Sequence, residues 1–146
     1  MKILVAVDLS EPSEKIVKEA EVIAHFHSAK VWLLHVAEPE PEFLGWSSGP
    51  QVVRDSMSNK FHNEHRSIQG IAERLRKAGL DTTALLVQGA PAETILAEAS
   101  KLGADMTIIG SHGRGMMHQL VLGSVSEAVL RKSECPILIV PIRKRN

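Results

Sequence analysis

Five short apolar runs alternate along this chain with four stretches of helical period, and this alternation restricts the possible folds more than any other feature. Residues 2–7 and 30–36 are β-rich runs without clean polar alternation, the pattern of strands buried on both faces. Residues 82–87 form a third, more polar run, and residues 106–109 and 137–140 complete the set. After the first run, Ser10 is placed to cap a helix with Pro12 in its first turn, and Ile16, Ala20, Ile23, Ala24 and His27 share one helical face. A second helix carries Met57, Phe61, Ile68, Ile71, Ala72 and Leu75 on one side and ends at Gly79. A third begins at Pro91, sets Ile95, Leu96, Ala99 and Leu102 on one face and stops at Gly103. The fourth follows Gly123, with Val125, Ala128 and Val129 inward and Arg131 and Lys132 near its carboxyl end, where the helix dipole favours cations. Strands that alternate with helices imply right-handed crossovers, hence an α/β fold with a parallel sheet covered by helices on both faces. At 146 residues the chain is expected to be a single domain, residues 1–146.

Charge counts against one class of function. The 17 basic and 17 acidic residues cancel, whereas a protein that holds nucleic acid through its phosphates carries a marked basic surplus. No nucleic-acid partner is expected, and Arg143, Lys144 and Arg145 are most simply a solvated tail. The only cysteine is Cys135, so no internal disulfide can form. Residues 1–8 are too short for a signal-peptide core, and no apolar stretch is long enough to span a bilayer. The expected location is the cytoplasm.

The chemistry is concentrated in Gly110, Ser111, His112, Gly113, Arg114 and Gly115, then, after residues 116–122, in Gly123, Ser124, Val125 and Ser126. This segment follows the fourth strand and opens the last helix. Glycines let the backbone turn sharply and approach an anion closely, and the amides that start a helix point toward that anion. Ser124 and Ser126 offer hydroxyl donors, and His112 and Arg114 offer positive charge. Strand, glycines and helix in this order form a phosphate cradle; the competing reading is a glycine-rich turn that only reverses the chain. The segment is not a Walker A loop, because no glycine-lysine-serine or glycine-lysine-threonine is present. No dinucleotide fingerprint follows the first strand either, where the chain continues Asp8, Leu9, Ser10, Glu11, Pro12.

The spacing Gly110-x2-Gly113-x9-Gly123-Ser124 resembles the signature of the universal stress protein family, in its ATP-binding branch. The likeness covers the whole chain, including the first strand ending in Asp8, the Leu34, His35, Val36 end of the second, and the closing segment 135–141. The resemblance implies a Rossmann-like, five-stranded parallel sheet in the order 3-2-1-4-5. That order reverses between strands 1 and 4, and ligands bind at the carboxyl ends of strands flanking such a reversal, where Asp8 and Gly110 fall. It further implies ATP as ligand, with Mg2+ or Mn2+ on the phosphates. Asp8 would contact the ribose and adenine side with Ala6 and Val7 nearby, Val36 the adenine through its backbone, and Gly110 the ribose. Gly113, Gly123, Ser124, Val125 and Ser126 would hold the phosphates, with His112, Arg114 and Gly115 in the same loop. A homodimer through residues 137–140 is also implied.

Other residues carry blander expectations. Without the loop, Asp8 would be read as a helix-capping or structural carboxylate. His62 and His65 lie three apart beside Glu64, the spacing of a shared metal site, but a solvated helix face is the simpler reading. The same holds for His25 and His27, and Cys135 before Pro136 is most simply a packing residue. Residues 38–49 form a mobile loop or a lid that uses Phe43 or Trp46. The leading expectation for function is a nucleotide-dependent stress-response regulator with no catalytic residue. Its competitors are a slow ATPase or phosphoryl-transfer enzyme, a binder of AMP or cyclic AMP, and a ligand-free dimeric adaptor. The glycine loop holds no carboxylate to act as base, and Glu127 lies just beyond it without an assigned role.

Overall fold

All five apolar runs become strands of one sheet: β1 (Lys2–Ala6), β2 (Lys30–Ala37), β3 (Thr82–Gln88), β4 (Met106–Gly110) and β5 (Ile137–Val140). The structure, a computed structural model, describes residues 1–39, 51–112 and 122–142. Every strand pair is parallel, and the order is β3-β2-β1-β4-β5, as the resemblance implies. The crossovers are α1 (Ser13–His27), α2 (Gln51–Lys77), α3 (Pro91–Leu102) and α4 (Ser124–Lys132).

Because side chains alternate across a strand, the sheet builds two cores. Ile3, Val5, Val7, Val31, Leu33 and Ile108 pack with Ile16, Val17, Ala20 and Ala24 of α1 and Ile68, Ala72 and Leu75 of α2. On the opposite face Leu4, Leu34 and Ile109 pack with Ala92, Ile95 and Ala99 of α3 and Val129 of α4. The glycines expected to stop helices do so in left-handed conformation: Gly103, with φ of 60°, caps α3, and Gly79, with φ of 91°, follows α2. A bidentate ion pair from Arg74 of α2 to Glu14 of α1 ties the two helices, and its hydrogen bonds raise the guanidinium above its already high ordinary pKa. No helix among the described residues is long and apolar enough to cross a membrane.

Three local expectations need correction. Ser10 does not cap α1. Pro12 occupies the cap position, and the Ser10 hydroxyl is turned back onto Asp8, while its carbonyl accepts from the Ser13 amide (3.0 Å) and hydroxyl (2.6 Å). His27 is exposed, since α1 ends at that residue and the core-facing turn stops at Ala24. Phe61 is 38% exposed, on the half of α2 remote from Ile68, Ala72 and Leu75. The 38–49 loop, from residue 40 onward, and the basic tail at 143–146 lie outside the described residues.

Candidate functional site

The last backbone pairing of β1 with β4 is Val5 with Ile108, and with β2 it is Ala6 with Leu34. The chain beyond belongs to the crevice where the strand order reverses. Ala6 and Val36 are half-buried on the α3–α4 side, and Val7 is buried on the α1–α2 side. Val7 extends the ladder by one bond, its amide donating to Leu34 O at 2.9 Å. Asp8 then turns the chain. Its Oδ1 accepts from the Ser10 amide at 2.9 Å and from the Ser10 hydroxyl, and Leu9 between them takes a φ of 62°. This is the side-chain turn that short carboxylates favour, so Asp8 has a structural role in the half-buried end of β1.

The end of β4 is fastened to the start of α4 and to the end of β5 by hydrogen bonds. The Ser111 amide donates to Val140 O (2.9 Å), the Gly123 amide to Ser111 O (2.8 Å), and the buried Ser126 hydroxyl to Gly110 O (2.7 Å). The Ser111 hydroxyl accepts from the Ile142 amide at 2.9 Å and lies 3.1 Å from His112 Nδ1. Both glycines sit where a side chain would be crowded. A Cβ on Gly110 would stand 3.0 Å from side-chain carbons of Ile16 and Ile142, and one on Gly123 would stand 3.1 Å from Cα and Cβ of His112.

Gly123 caps α4 with an extended backbone and supplies no side-chain cap. The amides of Ser124, Val125 and Ser126 therefore begin a helix with no intrahelical acceptor, the first such bond being Glu127 N–H to Gly123 O at 2.9 Å. Ser124 is exposed and Val125 half-buried. The structure thus gathers Ala6, Val7 and Asp8, Val36, Gly110 and His112, and Gly123 to Ser126 around the carboxyl ends of β1, β2 and β4. Gly113, Arg114 and Gly115 lie outside the described residues. Because Ser126 Oγ–H is engaged by Gly110, Ser126→Ala is expected to cost about 1–2 kcal/mol of stability, read from urea unfolding. An unchanged midpoint would show that the bond fastens nothing.

One buried residue at this end of the sheet carries no functional expectation from the sequence. His35 is only 7% exposed; its Nδ1 donates to Val7 O at 2.9 Å and its Nε2 lies 3.4 Å from Glu64 Oε2 of α2. The available signal was a lone imidazole inside an apolar strand, since a buried polar group needs partners. His62 and His65 are exposed, the former bonded to Ser58 O at 2.6 Å, and no cluster of three metal-ligating side chains occurs among the described residues. A cavity of about 260 Å³ lies between α2 and the ends of β2 and β3, lined by Ala37, Glu38, Met57, Phe61, Glu64 and Gln88 among others; it contains none of the expected site residues.

Comparison with known proteins agrees with the fold. The profile of the universal stress protein family matches residues 1–141. A Thermus aquaticus universal stress protein, described by its position in the 3′ region of a QAH/OAS sulfhydrylase gene, is 31% identical over 94% of this chain and 96% of its own. The solved structure of protein MJ0577, a universal stress protein of Methanocaldococcus jannaschii, is similar with a TM-score of 0.80 at 32% identity, covering 99% of this chain and 97% of the other. A universal stress protein solved in complex with cAMP shares the fold, with a TM-score of 0.72 at 24% identity and 97% of each chain covered.

Proposed function

The chain belongs to the universal stress protein family, and on that basis we propose that it binds ATP in the crevice at the carboxyl ends of β1 and β4 and acts as a nucleotide-dependent stress-response regulator. The observation that carries this reading is the glycine-capped start of α4, bonded onto the end of β4 and lacking a side-chain cap of its own. Such amides donate directly to phosphate oxygens. In this reading Gly123, Ser124 and Val125 hold the phosphates with Gly113, and Ser126 contributes its amide, its hydroxyl proton being engaged by Gly110. Asp8 meets the ribose, Gly110 lies beside it, and Val36 meets the adenine through its backbone. Mg2+ or Mn2+ would accompany the phosphates and supply positive charge there, and His112, Arg114 and Gly115 are assigned to the same part of the site. The residues fit this ligand: a cradle in which a Cβ at Gly123 would crowd His112, a helix start without a side-chain cap, and a carboxylate held at the adjacent strand end.

The test is chemical identification of the small molecule released when freshly purified protein is heat-denatured. ATP at near-stoichiometric amount supports the proposal, and a non-nucleotide ligand at that amount contradicts it. A second reading, AMP or cyclic AMP as native ligand, is favoured by the family structure that holds cAMP. Competition among the three nucleotides separates the two.

The regulator is proposed to work in the cytoplasm as a single domain over residues 1–146 and as a homodimer. Among the described residues β5 is an edge strand bonded to β4 alone, with Ile137, Leu138 and Ile139 all half-buried. An uncharged apolar edge invites pairing, and a symmetric second copy in antiparallel sense would satisfy its backbone. Sedimentation equilibrium at micromolar concentration is expected to give a dimer mass, and a monomer mass throughout would contradict it. Ile139→Lys is a blunt probe of this contact, because Ile139 also packs on the α3–α4 core.

A further inference from the structure

We infer that His35 is a positioning residue for the nucleotide site, acting through the peptide that joins Val7 to Asp8; this inference rests on the proposed function above.

The ladder between β1 and β2 ends with the Val7 amide on Leu34 O, and among the described residues the Val7 carbonyl is met by a side chain, His35 Nδ1, at 2.9 Å. A carbonyl can only accept, so Nδ1 carries the proton. The ring cannot turn without losing this bond, because it is buried and its other nitrogen faces Glu64 Oε2 at 3.4 Å. The Val7 carbonyl and the Asp8 amide belong to one rigid plane. Fixing the oxygen therefore fixes the direction in which Asp8 leaves the strand.

Immediately beyond that plane the backbone enters a conformation it would not keep unaided. Leu9 takes a φ of 62°, rare for a residue with a bulky side chain, and the Asp8 carboxylate closes the turn on Ser10. A turn of this kind has two ends to secure. Ser10 holds the far one; His35, from the neighbouring strand, holds the near one. The line Glu64, His35, Val7, Asp8 thus runs from α2 under the sheet end to the carboxylate proposed to meet the ribose.

Two amide substitutions isolate the bond. His35→Asn sets an N–H donor where Nδ1 stands, toward Val7; His35→Gln sets its amide where Nε2 stands, toward Glu64, and leaves Val7 O without a donor. Both keep a polar group that the buried site can pair. Titrated with ATP, His35→Gln is expected to bind about tenfold more weakly than the unaltered chain, the scale for a buried acceptor left unsatisfied, and His35→Asn close to normally. Titrated with 2′,3′-dideoxy-ATP, which lacks the hydroxyls Asp8 would hold, His35→Gln is expected to lose little. Equal affinities of the two variants for ATP, or equal losses for both nucleotides, would overturn the inference. If the unaltered chain binds neither nucleotide, the proposed function fails instead, and the amide resonance of Asp8 in the ligand-free protein still decides the positioning role. It is expected to shift in His35→Gln and to stay in place in His35→Asn; no shift in either overturns it.

Discussion

Gly123→Val is expected to abolish nucleotide binding while leaving the circular dichroism of the chain essentially unchanged. The cause is space rather than backbone strain, since Gly123 has a φ of −65° that any residue can adopt. A Cβ there stands 3.1 Å from both Cα and Cβ of His112, and valine adds two methyl groups to that contact. The start of α4 must then move away from the end of β4, breaking the 2.8 Å bond from the Gly123 amide to Ser111 O and turning the amides of Ser124 and Val125 off the crevice. The sheet cores contain no part of this contact, so the fold should survive. Calorimetric titration with ATP reads the effect. Normal affinity in the folded variant would rule out a phosphate cradle at the start of α4.

Asp8→Ala is expected to weaken ATP binding by roughly 1–3 kcal/mol, the scale for loss of a charged hydrogen-bond partner. Two contributions are separable by ligand. Asp8 Oδ1 closes the turn on Ser10, so its removal loosens the end of β1 for every ligand. Contact with the ribose hydroxyls matters only for ligands that have them, so the loss should be smaller for 2′,3′-dideoxy-ATP. Equal losses for the two nucleotides, measured by titration, would restrict Asp8 to holding the turn.

Much of this architecture is legible in the amino-acid sequence. Strands buried on both faces are near-continuous apolar runs that periodicity finds easily, as in β1, β2 and β4, whereas the edge strand β3 is more polar and mostly half-buried, and is read from its position in the alternation. The stops at Gly79 and Gly103 are legible because only a residue without a Cβ takes a left-handed conformation cheaply. Where each helix meets the sheet is not. At 27 residues α2 is about 40 Å long by its rise, and the strands it covers are shorter, so the periodic face that buries Ile68 also includes the exposed Phe61. Short polar residues are equally ambiguous. Ser10 is a good helix cap by type, yet its hydroxyl serves Asp8, a choice decided by the turn at Leu9. For the candidate site, the spacing of the glycines is legible, and Gly110 and Gly123 fall at the end of β4 and the start of α4, whereas the crowding around them, His112 beside Gly123 and Ile16 and Ile142 beside Gly110, exists only once the chain has folded. His35 escapes for the same cause: its partners are 28 and 29 residues away.

With one adenine nucleotide in the crevice between β1 and β4, calorimetric titration of the full chain with ATP and Mg2+ gives saturable binding of one nucleotide per chain, and Gly123→Val gives none. Nucleotide-stripped, folded protein that shows no saturable heat with ATP, AMP or cyclic AMP would mean that the crevice is not a nucleotide site.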